Sequence, residues 1–454
     1  MKSIQTSILS NEEYSFNILD SIKVEVSVEK NDFHIPLDTL FKMAARINKK
    51  RSFLFVSKVL GKHLPIHPNR GLLTSALLAA KYYEEVKGGR CKLKKEWLDT
   101  FLKSEPSFTG SAFIPKTFDP LIIGFAETAT ALGHAFFDCF EGAGYVHTTR
   151  EVLRGQSPVI SFEEEHSHAT SHNCYLPLEM VANDKDIILV DDELTTGKTA
   201  LNIIRSIHSR FPRKEYSVVS ILDWRSEEDK LEFKKLEYLL GITIHVVSLL
   251  AGKVQVEIQN EKIKQRNEDY HCQIKKAQIE RIYLPSLFEE AEISSISTNG
   301  SENNTPFLYE TGRFGISSDV NWQTKDKILE AASFLTRKRS GKNTLCLGTG
   351  EFMYLPMKIA AEMGQGISYQ STTRSPIFVK NETGYGAEYG LAFSNPEDPD
   401  IAHFVYNIPP GCYEELFLFF ERELENEQLF PLLTELEKTQ IESIKLVYFM
   451  RKKG

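Results

Sequence analysis

One run of thirteen residues, IILVDDELTTGKT from Ile187 to Thr199, constrains this 454-residue chain more than any other. Its four apolar residues, Ile187 to Val190, read as a strand buried on both faces. Asp191 and Asp192 stand at the carboxyl end of that strand, and Thr195-Thr196-Gly197-Lys198-Thr199 leads into the helical segment ALNIIRSIHSRF. In open parallel sheets ligands bind at that edge. Backbone N–H groups, hydroxyls and a helix N-terminus together suit a phosphate monoester, and Gly197 lets the backbone approach it closely. The acidic pair would repel a phosphate, so it must face another part of the ligand. A ribose diol with Mg²⁺ nearby meets that condition. The tail GKT does not make a Walker A loop, which needs glycine where Asp192 stands.

Around this run the chain alternates strands and helices, which predicts an α/β fold with a parallel sheet covered on both faces. Residues 14–30 alternate as one or two strands, LDTLFKMAARINKKR has helical spacing through Leu40, Phe41, Ala44 and Ile47, and LLTSALLAAKYYEEV is an apolar helix. Residues 91–118 are hard to assign and suit a helical insertion. Strand DPLIIGF, helix ETATALGHAFFDCF and a strand ending in YVHTTR follow. After the acidic run come strand YSVVSILDW and a hairpin over 242–258 turning at Ala251-Gly252. The polar tract at 294–305 has linker composition, giving domains at 1–290 and 307–454 joined by residues 291–306. Beyond it the pattern predicts helix KDKILEAASFLTRK, strand NTLCLG, helix FMYLPMKIAAEMG, strand GISYQS, helix YEELFLFFEREL and strand IKLVYFM.

A net charge of −8 offers no global field for nucleic acid. The six cysteines lie far apart without a CxxC pair, as reduced thiols of a cytoplasmic protein would. The first sixteen residues lack the apolar core of a signal peptide, and no apolar run approaches a membrane span, so no membrane partner is expected.

The acidic run resembles the phosphoribosyl pyrophosphate signature of type I phosphoribosyltransferases, with Glu193 standing where most members carry an apolar residue. The resemblance implies that Asp191 and Asp192 hold the ribose hydroxyls, with Mg²⁺ near them, and that Thr195 to Thr199 wrap the 5′-phosphate. It also implies an earlier pyrophosphate loop, for which Phe125 to Thr130 fits: Ala126 permits close approach, Thr128 adds a donor, and Glu127 is unexpected beside pyrophosphate. Arg150, ending the strand in His147-Thr148-Thr149-Arg150, is a candidate phosphate fork. The tract SFEEEHSHATSHNC, with His166, His168 and His172, has three readings: the hood that many such enzymes fold over the substrate, a solvated hairpin, or a zinc site.

LIIGFAETATALGHA from Leu121 recurs as LCLGTGEFMYLPMKI from Leu345. Gly124 aligns with Gly348, Glu127 with Glu351, and Thr148-Thr149-Arg150 with Thr372-Thr373-Arg374 at identical spacing. The acidic pair does not recur. Matching Gly411 to Gly197 places Val405 and Tyr406 at the acids' positions. A second, degenerate phosphoribosyltransferase-like α/β domain is therefore expected, with Glu351, Thr372, Thr373 and Arg374 as a candidate second anion site. TTRSPI, with LGTGEFMYLP before it, resembles the TRSP domain, which follows a phosphoribosyltransferase domain in bacterial proteins of tellurite-resistance and stress gene clusters. The resemblance implies a cytoplasmic pentosyltransferase that uses phosphoribosyl pyrophosphate and Mg²⁺ on an unidentified small-molecule acceptor to make a nucleoside-like metabolite. The rival reading is a non-catalytic binder of that sugar phosphate, a regulator or scaffold of a biosynthetic complex; under either reading a homo-oligomer or a biosynthetic complex is the candidate assembly.

Overall fold

The computed structural model describes residues 6–10, 13–47, 52–163, 171–259 and 274–452. Two sheets form the framework. The first has nine strands in the order β1 (Thr6–Ser10), β2 (Glu13–Ile18), β3 (Ile22–Lys30), β8 (Thr243–Ile258), β7 (Glu215–Asp223), β6 (Ile187–Leu194), β4 (Leu121–Gly124), β5 (Gly144–His147) and the short strand Ile316–Ser317. Its five central strands, β8 to β5, are parallel, and antiparallel strands cap both edges. The second sheet is wholly parallel, in the order β9 (Gln278–Tyr283), β13 (Ser443–Met450), β12 (Glu415–Arg422), β10 (Thr344–Gly348) and β11 (Ile367–Ser371).

The two sheets repeat one plan. In the first, β4 lies between β6 and β5; in the second, β10 lies between β12 and β11. The helices that follow β4 and β10, α2 (Ala129–Phe137) and α4 (Tyr354–Glu362), pack against each other, with the His134 and Tyr354 rings stacked at 3.7 Å. Helix α1 (Pro68–Glu85) lies against both of them, which is why its sequence is apolar almost all round. The sheets also borrow from each other along the chain. The edge strand β9 of the second sheet precedes the polar tract, while Ile316–Ser317, after it, pairs with β5 of the first. Within the tract, Ser295–Ile296 pairs with Val152–Leu153.

Three expected elements differ. Among the described residues of the helix expected over LDTLFKMAARINKKR only Leu37–Leu40 is helical, and Phe41–Ala45 is a strand paired with Phe53–Ser57. Phe41 gains edge contacts with Phe55 and Trp224 that a helix could not make, so tertiary packing overrides the periodicity. The hairpin expected at Ala251-Gly252 is one continuous strand with a bulge there; a Cβ on Gly252 would stand 2.2 Å from the Ser27 carbonyl oxygen. ELFLFFER is the central strand β12, buried throughout, and not a helix, because an unbroken apolar run carries no period. The helix lies beyond it, at Asn426–Leu436.

Candidate functional site

The acidic run folds as expected: β6 carries Asp191 and Asp192, both half-buried, and helix α3 (Lys198–Arg210) starts after Gly197. Gly197 has φ +72°, and a Cβ there would meet the Phe233 ring at 2.5 Å, so both conformation and space demand glycine. That ring is itself held under the Arg225 guanidinium, which forks onto Asp223 at 2.9 and 2.7 Å. The loop from Thr195 to Thr199 therefore rests on a buried pillar that no motif announces.

A cleft of about 340 Å³ opens at this edge, within the size range of small-molecule sites. It brings together Asp191, Asp192, Thr195 to Thr199, Ala126 to Thr128, Arg150 and His172. His172 is buried, and its Nδ1 lies 3.0 Å from the Thr148 hydroxyl. His166 and His168 lie outside the described residues. Three cationic residues of the cleft were not foreseen there: Arg46, Lys62 and, from the second half of the chain, Arg374. Lys62, from the segment SKVLGKH, bonds the Thr128 hydroxyl. Asp191 and Asp192 are hard oxygen ligands beside the expected phosphate positions, a set that suits Mg²⁺. Among the described residues no group of three metal-ligating side chains occurs.

The two halves meet through a reciprocal pair of carboxylates. Glu351 Oε2 accepts from the Thr149 hydroxyl at 2.6 Å and its Oε1 from the Arg150 N–H at 2.9 Å. Glu127 Oε2 accepts from the Thr373 hydroxyl at 2.9 Å and the Arg374 N–H at 3.1 Å. Around each, the smaller contacts match. Ala126 N–H donates to the Thr148 hydroxyl at 2.8 Å, as Gly350 N–H does to Thr372 at 2.9 Å, and His403 faces Thr372 as His172 faces Thr148. The repeat is thus a pseudo-twofold pair, and Glu127, odd beside pyrophosphate, is explained as an interface clamp. Burial pushes its carboxyl up, but the facing charges of His403, Lys62, Arg150 and Arg374 outweigh this and hold it below its ordinary range. His403 itself is lowered by burial to about 4, so at neutral pH the work falls to the lysine and arginines.

The second cleft differs where the chemistry would be. The register of β12 on β10 puts Phe420 and Glu421, not Val405 and Tyr406, at the positions of Asp191 and Asp192. Val405 and Tyr406 lie instead on strand Asp398–Tyr406, the counterpart of Ser171–Cys174, as the bridges Thr373–Phe404 and Thr149–Asn173 show. Arg313, 1% exposed, fills the space with its guanidinium 2.7 Å from Glu351, 3.1 Å from Glu421 and 3.5 Å from Glu151. About 30 Å³ remains, room for a water or two. Of the four residues expected to form a second anion site, Glu351 and Thr373 are spent on interface bonds and Thr372 on Gly350 and His403. Arg374 lines both clefts. Glu351 is held down at about 2: burial pushes it up, and Arg313 beside it more than offsets that.

Residues 40–253 match the family model described as phosphoribosyl transferase, and residues 310–436 match the TRSP domain, described as C-terminal to that transferase. No curated protein matches the chain. Among solved structures it is similar to adenine phosphoribosyltransferase of Trypanosoma brucei (9% identity, 54% of this chain and 87% of that one, TM-score 0.30). The enzymes of Leishmania tarentolae (13%, 54% and 94%, TM-score 0.30) and Saccharomyces cerevisiae (15%, 47% and 96%, TM-score 0.27) are also similar, all too distantly to indicate a substrate. Among the described residues no helix is long and apolar enough to cross a membrane. The chain is a type I phosphoribosyltransferase domain followed by a TRSP domain.

Proposed function

We propose that the chain is a pentosyltransferase that uses phosphoribosyl pyrophosphate and Mg²⁺ to ribosylate a small nucleophile, in the first half's cleft alone. The observation that carries this reading is the contrast between the clefts: one has room, an acidic pair and a phosphate loop, and the other is filled by Arg313. The C1–oxygen bond to pyrophosphate breaks, its electron pair leaves with that group, and a nucleophile atom bonds C1 and gives up its proton. Negative charge grows on the leaving group while the ribose becomes oxocarbenium-like, so positioning and electrostatics supply the rate. Asp191 and Asp192 hold the ribose hydroxyls and favour its positive character. Thr195 to Thr199, with the α3 N-terminus, hold the 5′-phosphate. Ala126, Glu127 and Thr128 border the pyrophosphate, with Arg150 as a cation beside it. Mg²⁺, near Asp191 and Asp192, would neutralise the pyrophosphate oxygens.

The hood reading of the stretch around His166, His168 and His172 belongs to the same proposal; amide exchange there should slow when the sugar phosphate and Mg²⁺ are added, and unchanged exchange at saturation would remove it. The function itself is tested by incubating the protein with phosphoribosyl pyrophosphate, Mg²⁺ and a metabolite extract. Released pyrophosphate with a new ribosylated mass supports transfer. Tight binding without turnover would favour the regulator or scaffold, and neither would refute both.

A further inference from the structure

We infer that the TRSP domain completes the first half's site: Arg374 is a pyrophosphate-binding residue of that cleft, and Glu127 is the positioning residue that aims it. This rests on the cleft holding phosphoribosyl pyrophosphate, as proposed above.

Arg374, Ser375 and Pro376 are the residues that the second half contributes to the wall of the cleft holding the acidic run. The segment is fixed at its root. Glu127 accepts from the Thr373 hydroxyl and the Arg374 N–H, and the Ser375 N–H returns to the Thr373 hydroxyl at 3.1 Å. Glu127 belongs to the loop Phe125 to Thr130, so its clamp sets Arg374 beside that loop, the side assigned to pyrophosphate. The Arg374 guanidinium, half-buried, makes no hydrogen bond or ion pair with the described residues, whereas the guanidinium of Arg313 in the second cleft is paired with three carboxylates. With the second cleft reduced to about 30 Å³, the first is where Arg374 can meet a ligand.

The charge balance of the wall points the same way. Arg46, Lys62, Arg150, Lys198 and Arg374 face Glu127, Asp191, Asp192 and Glu193. Without Arg374 four cations would face four acids, a poor match for a ligand carrying both a phosphate and a pyrophosphate. The arginine from the TRSP domain tips the wall positive on the pyrophosphate side, and its planar fork suits two phosphate oxygens. The clamp joins two halves of one covalent chain, and the second half has a use although its own cleft is filled.

The test uses the full chain and calorimetric titration, with Mg²⁺, of three probes: phosphoribosyl pyrophosphate, inorganic pyrophosphate and ribose 5-phosphate. Arg374→Ala should weaken the first two by at least ~10-fold, the loss of a charge-assisted bond, and leave ribose 5-phosphate unchanged. Arg374→Lys should recover part of the loss, since charge returns without the fork. Glu127→Gln, which keeps an acceptor but not the charge, should weaken pyrophosphate less than Arg374→Ala does. Equal weakening of all three probes together with a lowered melting temperature would mean a structural role and overturn the inference. So would an Arg374→Ala chain that binds phosphoribosyl pyrophosphate as tightly as the parent. If that result accompanies loss of binding in Asp191→Asn/Asp192→Asn, the proposed function survives and this inference alone fails. If the parent chain binds no phosphoribosyl pyrophosphate, both fall.

Discussion

Replacing Arg313 with methionine separates the filled cleft from an ordinary surface ion pair. The guanidinium is 1% exposed and neutralises Glu351 and Glu421 at 2.7 and 3.1 Å, with Glu151 at 3.5 Å, and it also donates to the Thr149 hydroxyl at 2.7 Å. Methionine restores much of the volume but leaves three buried carboxylates without their shared cation. Removing one partner of a buried pair costs about 3–5 kcal/mol, a large part of the roughly 5–15 kcal/mol that holds a domain folded. At about 2–4 °C per kcal/mol for a unit of this size, the second half should melt roughly 6–20 °C lower in differential scanning calorimetry. The pH response gives a second signature. Glu351 is held at about 2 with Arg313 present, while burial already pushes Glu421 and Glu151 up. Without the arginine the largest charge opposing burial is lost at all three, so Glu421 and Glu151, already raised, rise further and Glu351 rises from its low value; the variant's native state binds more protons than the parent's and loses less stability as pH falls. The gap to the parent chain should therefore narrow as pH falls from neutral towards the ordinary carboxylate range. A loss under about 1 kcal/mol, or a gap that does not depend on pH, would refute the burial and charge argument for this cluster.

Asp191→Asn/Asp192→Asn should lower turnover by at least ~100-fold, about 2.7 kcal/mol, with the fold retained in circular dichroism; an active double variant would defeat the acids' assignment. Burial lowers His134, His147 and His403 to about 4 from 6.5, so as pH falls from 6.5 towards 4 the unfolded chain binds protons that the native chain does not. Each histidine should cost up to about 3 kcal/mol across that window. Urea midpoints should fall with it, and His403→Gln should flatten the slope. Gly252→Ala should lower the melting temperature by an amount equivalent to about 1–3 kcal/mol, because its Cβ would meet the Ser27 carbonyl oxygen; an unchanged melting curve would show that the bulge can relax.

The parts of the fold that declared themselves are those whose local chemistry and tertiary use agree. The apolar strand, paired acids, glycine and amphipathic helix of residues 187–210 each serve one purpose, so they read the same alone and in the fold. The repeat was legible because Gly124 and Gly348, and the two Thr-Thr-Arg edges, face the same geometric demand twice. Phe41–Ala45 and Glu415–Arg422 were misread because their partners decide their conformation: aromatic packing in one, burial on both faces in the other. Phe420 and Glu421 escaped because register is set by pairing with β10, not by distance from a glycine. Arg46, Lys62 and the Asp223–Arg225–Phe233 pillar carry no spacing signal, since residues distant along the chain converge only once both sheets are in place. Arg313 could be named a filler only after its three carboxylates were seen around it.

The most direct measurement is the number of phosphoribosyl pyrophosphate molecules the full chain binds with Mg²⁺, by calorimetric titration. One per chain is expected, lost in Asp191→Asn/Asp192→Asn and retained in Glu421→Gln. Two per chain, or one that survives replacement of both aspartates, would contradict a single site built on the first half's acidic run.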